Sequence, residues 1–151
     1  MRTRTLIATG LVAVVSAGVT APSMAATKPK PKPKPISGSF TATATPDPTS
    51  NNTTTMQGTL TCNPTIPSAR VTKTFVVPAA GTLEVKANNK LDWTMDLRDS
   101  TGEELASSDG GTPTDPESYA VTFKKKTTVT IGVCNFSGEP TITPSYVFTY
   151  K

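Results

Sequence analysis

From Ile36 onward, apolar residues recur at every second position in short runs, and no stretch holds a helical period. Phe40, Ala42 and Ala44 alternate with Ser39, Thr41 and Thr43 until Pro46-Asp47-Pro48 ends the run. Thr53 to Cys62 places Met56, Gly58, Leu60 and Cys62 on one face. Val71, Lys73, Phe75 and Val77 share a face, and Leu83, Val85 and Ala87 follow the turn Pro78-Ala79-Ala80-Gly81. Leu91, Trp93, Met95 and Leu97 form the cleanest alternation, with Asp92, Thr94, Asp96 and Arg98 facing the other way as a solvated face. A short run passes through Leu105 and Ala106. Tyr119, Val121 and Phe123 face inward, then Val129, Ile131 and Val133, and Ser145 to Tyr150 closes the chain. Period-two runs broken by Pro, Gly, Asn and Asp read as strands. The pattern predicts an all-β fold of about eight or nine strands, a two-sheet antiparallel, jelly-roll-like β-sandwich with Trp93 in its core.

Ahead of these runs the chain changes character twice. Met1-Arg2-Thr3-Arg4 is basic, Leu6 to Val19 is uncharged and mostly apolar, and Ser23-Met24-Ala25 ends in small residues. That order predicts a secretory signal peptide over 1–25, cut after Ala25. Thr9, Gly10, Ser16, Gly18, Thr20, Pro22 and Ser23 dilute the run, so a retained membrane span is disfavoured. Residues 26–35 carry Lys28, Lys30, Lys32 and Lys34, each followed by Pro. Pro fixes its own φ and pushes the preceding residue to extended geometry, so this linker predicts a stiff polyproline II spacer, with electrostatic adhesion to an anionic cell-wall polymer as the alternative. Residues 36–151 then form one domain of ordinary size.

Charge follows this division. The whole chain is +4, yet from Ile36 onward seven Lys and two Arg face eleven acids, a net −2. A basic groove for nucleic acid is therefore not expected. Cys62 and Cys134 are the only cysteines, and an even count in an exported chain predicts one disulfide between them. Cys134 has the opposite parity to Val129, Ile131 and Val133, so it should point off the core face, at the sandwich rim.

Chemistry is sparse. The chain holds no His, which removes His-based nucleophile systems and the usual zinc sites. No glycine-rich loop leads into a helix, so no phosphate cradle is expected. The carboxylates Asp92, Asp96, Glu103 and Glu104 offer a distant possibility of glycosidase chemistry. Asp96, Asp99 and Asp109, with Asp115 and Glu117 near them in sequence, are the candidate oxygen ligands for calcium. Three loops, Asn63–Ser68, Asp109–Pro116 and Asn135–Pro144, are the candidate binding surface.

From Lys73 the order of features resembles the bacterial pre-peptidase C-terminal domain. The matching stretches are Thr74-Phe75-Val76-Val77-Pro78-Ala79-Ala80-Gly81-Thr82-Leu83-Glu84-Val85, Asp96-Leu97-Arg98-Asp99-Ser100-Thr101-Gly102, Tyr119 to Phe123, Val129 to Val133 and Tyr146-Val147-Phe148. The family carries a paired Asp where this chain has Thr94, and a Gly-x-Tyr where it has Thr127-Thr128-Val129. The resemblance implies a β-sandwich module with a non-catalytic role in surface or substrate binding, or in secretion. Together these readings predict a secreted, monomeric module that binds an extracellular polymer, polysaccharide or protein, or a cell-wall surface. A small inhibitor or an accessory subunit of an exported hydrolase is the alternative.

Overall fold

A computed structural model describes residues 30–47, 62, 66–88, 92–108 and 116–151. The expected leader, the expected strand Thr53 to Leu60, Leu91, Asp109 and Asp115 lie outside them. Among the described residues there are ten strands: β1 (Ile36–Ser39), β2 (Ala42–Thr43), β3 (Arg70–Val77), β4 (Gly81–Ala87), β5 (Trp93–Arg98), β6 (Glu104–Ser108), β7 (Glu117–Phe123), β8 (Thr127–Asn135), β9 (Thr141–Ile142) and β10 (Ser145–Tyr150). One sheet runs β1-β10-β4-β7 and the other β3-β8-β5-β6, while β2 and β9 pair as a small ribbon. All pairs are antiparallel. With the ribbon set aside, these strand orders are those of a jelly roll, two interleaved Greek keys.

Most of the predicted inward positions are the core, and Val71 and Val121 pack against it half-buried. Leu83, Val85, Trp93, Met95, Leu97, Ile131, Val133 and Phe148 are fully buried between the sheets. Phe75 meets Tyr146 edge-on at 5.2 Å between ring centroids, and Phe148 meets Tyr150 at 5.1 Å.

Three expectations shift. The run expected through Phe40 to Ala44 is shorter: β1 pairs with β10 and ends at Ser39, and only Ala42–Thr43 of the run is strand, paired with β9 as β2. Lys73 has inward parity yet stays exposed, because β3 is an edge strand and an inward Lys discourages further pairing there. The third shift decides the architecture of one whole face. Thr94 and Asp96, expected in solvent, are 1% and 0% exposed. Strand β5 is interior to its sheet, and its outer side is covered as well as its inner side.

Candidate functional site

The cover over β5 is built from charge. Arg70 on β3 reaches across β8, and its guanidinium donates to Asp96 Oδ1 at 2.8 Å. From the other side Arg98 Nε donates to Asp96 Oδ2 at 2.6 Å. Thr72, Gly132 and Asp96 are level across the three strands. Gly132 is what allows the crossing, because a Cβ there would lie 2.0 Å from Asp96 Oδ1 and 2.4 Å from the Arg70 guanidinium. Arg70 also donates to the carbonyl of Cys62. The Cys62–Cys134 disulfide fixes that same residue to β8, with 5.4 Å between the Cα atoms. Register along β8 is unbroken, so Cys134 points off the core as its parity required, beside Arg70 and Thr94 near the strand end. On the core side, the Tyr119 hydroxyl donates to the Asp96 carbonyl at 2.9 Å. Burial, and after it the Asp96 charge, push the phenol up, so it remains a neutral donor.

At this end of the sandwich separate segments converge. Strands β3 and β7 begin here, and β6 and β8 finish here. Asn135, the last residue of β8 and 1% exposed, is the hub. Its amide nitrogen donates to the carbonyls of Ala44 at 3.0 Å and Glu139 at 3.2 Å, and its Oδ1 accepts from Gly138 N at 2.6 Å. Its own carbonyl accepts from Asp47 N at 3.0 Å. Ala44 N donates to the Pro140 carbonyl and Thr45 N to the Ser68 carbonyl, both at 2.9 Å. Asp47 Oδ2 accepts from Ile66 N at 3.2 Å. Buried polar groups with several partners hold a loop in one arrangement.

Two grooves flank the β2–β9 ribbon. One, of about 350 Å³, is lined by Asn88, Trp93, Glu139 and Thr141 to Thr143. The other, of about 580 Å³, is lined by Thr43 to Pro46, Ser68, Arg70 and Pro140. Gly138 lies over the indole of Trp93; a Cβ there would come within 2.1 Å of the ring nitrogen. Trp93 is thus core, as expected, at 1% exposure, and also the floor of a groove.

Of the three candidate loops, 66–68 and 135–144 meet here. The third, 109–116, is described only at Pro116. Its flanking residues place both its ends here, with Ser108 Oγ donating to Glu117 Oε2 at 2.7 Å. Segment 44–47 also contributes and was missed, since only its contacts with Asn135 and Ser68 bring it in.

The described calcium candidates Asp96 and Asp99 have other partners, and Asp109 lies outside the described residues. Both oxygens of Asp96 accept from arginines. Asp99 lies at the opposite end, where its Oδ1 accepts from Thr101 N at 2.8 Å, Thr101 Oγ1 at 2.7 Å and Glu103 N at 3.0 Å. Those bonds, the Thr101 hydroxyl first, hold its pKa below the usual carboxylate range. Among the described residues no three His, Cys, Asp or Glu side chains gather around a cation position. Asp92 and Asp96 are not spaced as a hydrolytic pair, while Asp96 and Glu104 both lie on the Arg98 guanidinium. Asp92 and Asp96 are four residues apart along one strand, roughly 13 Å, beyond the roughly 5–9.5 Å that glycosidases use. Asp92 and Glu103 lie at opposite ends of β5. Burial pushes the Asp92 carboxyl up, and its backbone carbonyl accepts from Phe136 N and Ser137 N.

Among the described residues no helix is long and apolar enough to cross a membrane. No protein-family model and no curated protein sequence matches the chain. Among solved structures it is similar to the pre-peptidase C-terminal domain of collagenase from Bacillus anthracis, with 11% identity and a TM-score of 0.44, over 81% of this chain and all of that one. It is similar at a lower level to the Yersinia pseudotuberculosis-derived mitogen, with 15% identity and a TM-score of 0.32, over 54% of this chain and 86% of that one. The first of these is a pre-peptidase C-terminal domain, the kind of module that the sequence features resemble.

Proposed function

We propose that this chain is an exported, non-catalytic jelly-roll module that holds an extracellular polymer at its loop end. One observation carries the reading: a rigid double sheet gathers segments 44–47, 66–69 and 135–144 at one end, pinned by Asn135 and by the Cys62–Cys134 bridge, around two open grooves. Loops of this kind on a rigid scaffold are where binding residues concentrate. Grooves of a few hundred Å³ suit a short stretch of polymer. The leader exports the domain, and the Lys-Pro tract is a spacer that lifts it off a surface.

The test is sedimentation of the secreted protein with insoluble cell-wall polysaccharides, beside a panel of secreted proteases. Binding to polysaccharide should fall when Asn88 and Thr143, exposed on the groove, are replaced by Ala, and should be unchanged by Glu84→Ala on the open outer face of β4. Tight, saturable capture of a protease with no polysaccharide binding would replace this reading with the inhibitor or accessory one. Turnover of peptide, ester or glycoside substrates would overturn the non-catalytic assignment.

A further inference from the structure

The end opposite the loops carries a different chemistry. Register places Phe123, Gly81 and Tyr150 side by side at that end. Lys124, Lys125 and Lys126 follow Phe123. Lys151 follows Tyr150, and its N–H donates to the Ala80 carbonyl at 3.1 Å. Ile36 pairs with Phe148, two residues short of Tyr150, so Lys34 and Lys32 lead into β1 at the same end. Neighbouring strands are about 4.8 Å apart, so these four strand ends span roughly 14 Å. All six lysines are exposed. Among the described residues none of them enters an ion pair. The acids nearest this end are Asp99 and Glu103, and the Asp99 carboxylate is turned into its own loop.

We infer that this lysine-bearing end is a docking surface for a linear polyphosphodiester, which fixes the module with its loop end facing away. Lys32 and Lys34 repeat every second residue on an extended rod, about 6 Å apart. They add to the lysines on the strand ends at the β1 edge. Ammonium groups bind phosphate oxygens as compact point charges and need no fixed fork geometry. A bilayer is the poorer partner. The loop tips here, Pro78 to Ala80 and Ser100 to Gly102, carry no bulky apolar side chain to insert. The apolar residues nearby, Leu105, Val121 and Phe123, line a cleft between the β6 and β7 edges instead. The mildly acidic balance of the folded part conceals this end, because the acids are spread elsewhere. The inference does not depend on the loop-end reading.

The experiment is fluorescence anisotropy of dye-labelled poly(glycerol phosphate), a linear polyphosphodiester, with the secreted protein over a salt series, with phosphatidylglycerol vesicles as a separate arm. K124Q/K125Q is compared with K73Q/K86Q, which removes the same charge from other parts of the surface. Binding should weaken log-linearly with salt, and K124Q/K125Q should weaken it roughly tenfold and lower the salt slope by about 1.4, two single-strand contacts at about 0.7 each. K73Q/K86Q should change it less than twofold. Equal loss in both variants would mean net charge alone is responsible, and would overturn the site. So would absence of binding at low salt, or vesicles outcompeting the polymer. Lys124 and Lys125 are exposed turn residues, Lys73 and Lys86 exposed strand residues, and unchanged melting temperatures verify that the variants are folded.

Discussion

The two outer faces of the sandwich share the same period-two alternation and have opposite fates. On the β1-β10-β4-β7 sheet the outward residues are short and wet. Thr149, Thr82 and Thr122 form a row across three strands, with Thr82 and Thr122 hydroxyls 3.0 Å apart. Glu84 and Lys86 pair beside them at 2.7 Å, both about half exposed. On the β3-β8-β5-β6 sheet the outward residues are sealed: Asp96 is inaccessible between two arginines, and a disulfide fastens Cys62 over the strand end. Alternation assigns a side chain to a face. What lies beyond that face depends on the rest of the chain. An ion pair in water contributes little, about 0–1 kcal/mol, whereas a buried one is costly to break from one side.

Substitutions can test how deep that contrast runs. Asp96→Ala leaves two partly buried guanidiniums without their shared carboxylate, and should cost about 3–5 kcal/mol in chemical denaturation. A cost under about 1 kcal/mol would mean that the sealed face behaves like the wet one. Removing the bridge with C62A/C134A should cost about 4 kcal/mol, given a separation of 72 residues between the cysteines. Gly132→Ala forces a methyl group into the Arg70–Asp96 contact and should cost about 1–3 kcal/mol. On the wet face, Glu84→Ala should stay within about 0.5 kcal/mol of the parent in the same assay.

The smallest effects are those of pH. Asp99 has a lowered folded-state pKa, so it contributes stability above its unfolded value and loses it as pH falls through the folded one. Asp92 has a raised one, so its contribution is present below the unfolded value and is lost as pH rises through the folded value. Carboxyl NMR titration should give the Asp99 midpoint below, and the Asp92 midpoint above, that of an ordinary aspartate. The reverse order would contradict the local geometry of both residues.

The same contrast explains what was legible in the sequence. Strands whose inner face alone is apolar could be read directly: β4, β7, β8, β10 and the Trp93, Met95, Leu97 side of β5. The outward turn of Cys134 could be read too, because it needs only parity and an unbroken strand. The burial of Asp96 could not. It requires Arg70, 26 residues earlier, and a glycine on the strand between them, and no local pattern ties those three positions together. The candidate loops were legible as punctuation, and the topology brings them to one end. The hub that locks them, Asn135, reads in sequence as a residue just past a cysteine. Its role depends on Ala44, 91 positions away. The placing of β1 and β2 was likewise decided by distant partners, Phe148 and Ile142.

One earlier detail makes the molecule its own instrument. The chain has a single Trp, and that indole is the floor of a groove beneath the backbone of Gly138. Its emission is therefore an internal gauge of that turn. Any ligand that presses on the 136–140 segment, or lifts it, changes the surroundings of the only strong fluorophore present. Occupancy of the loop end can be followed in unlabelled protein, while events at the lysine end, on the far side of the sheets, leave the signal unmoved.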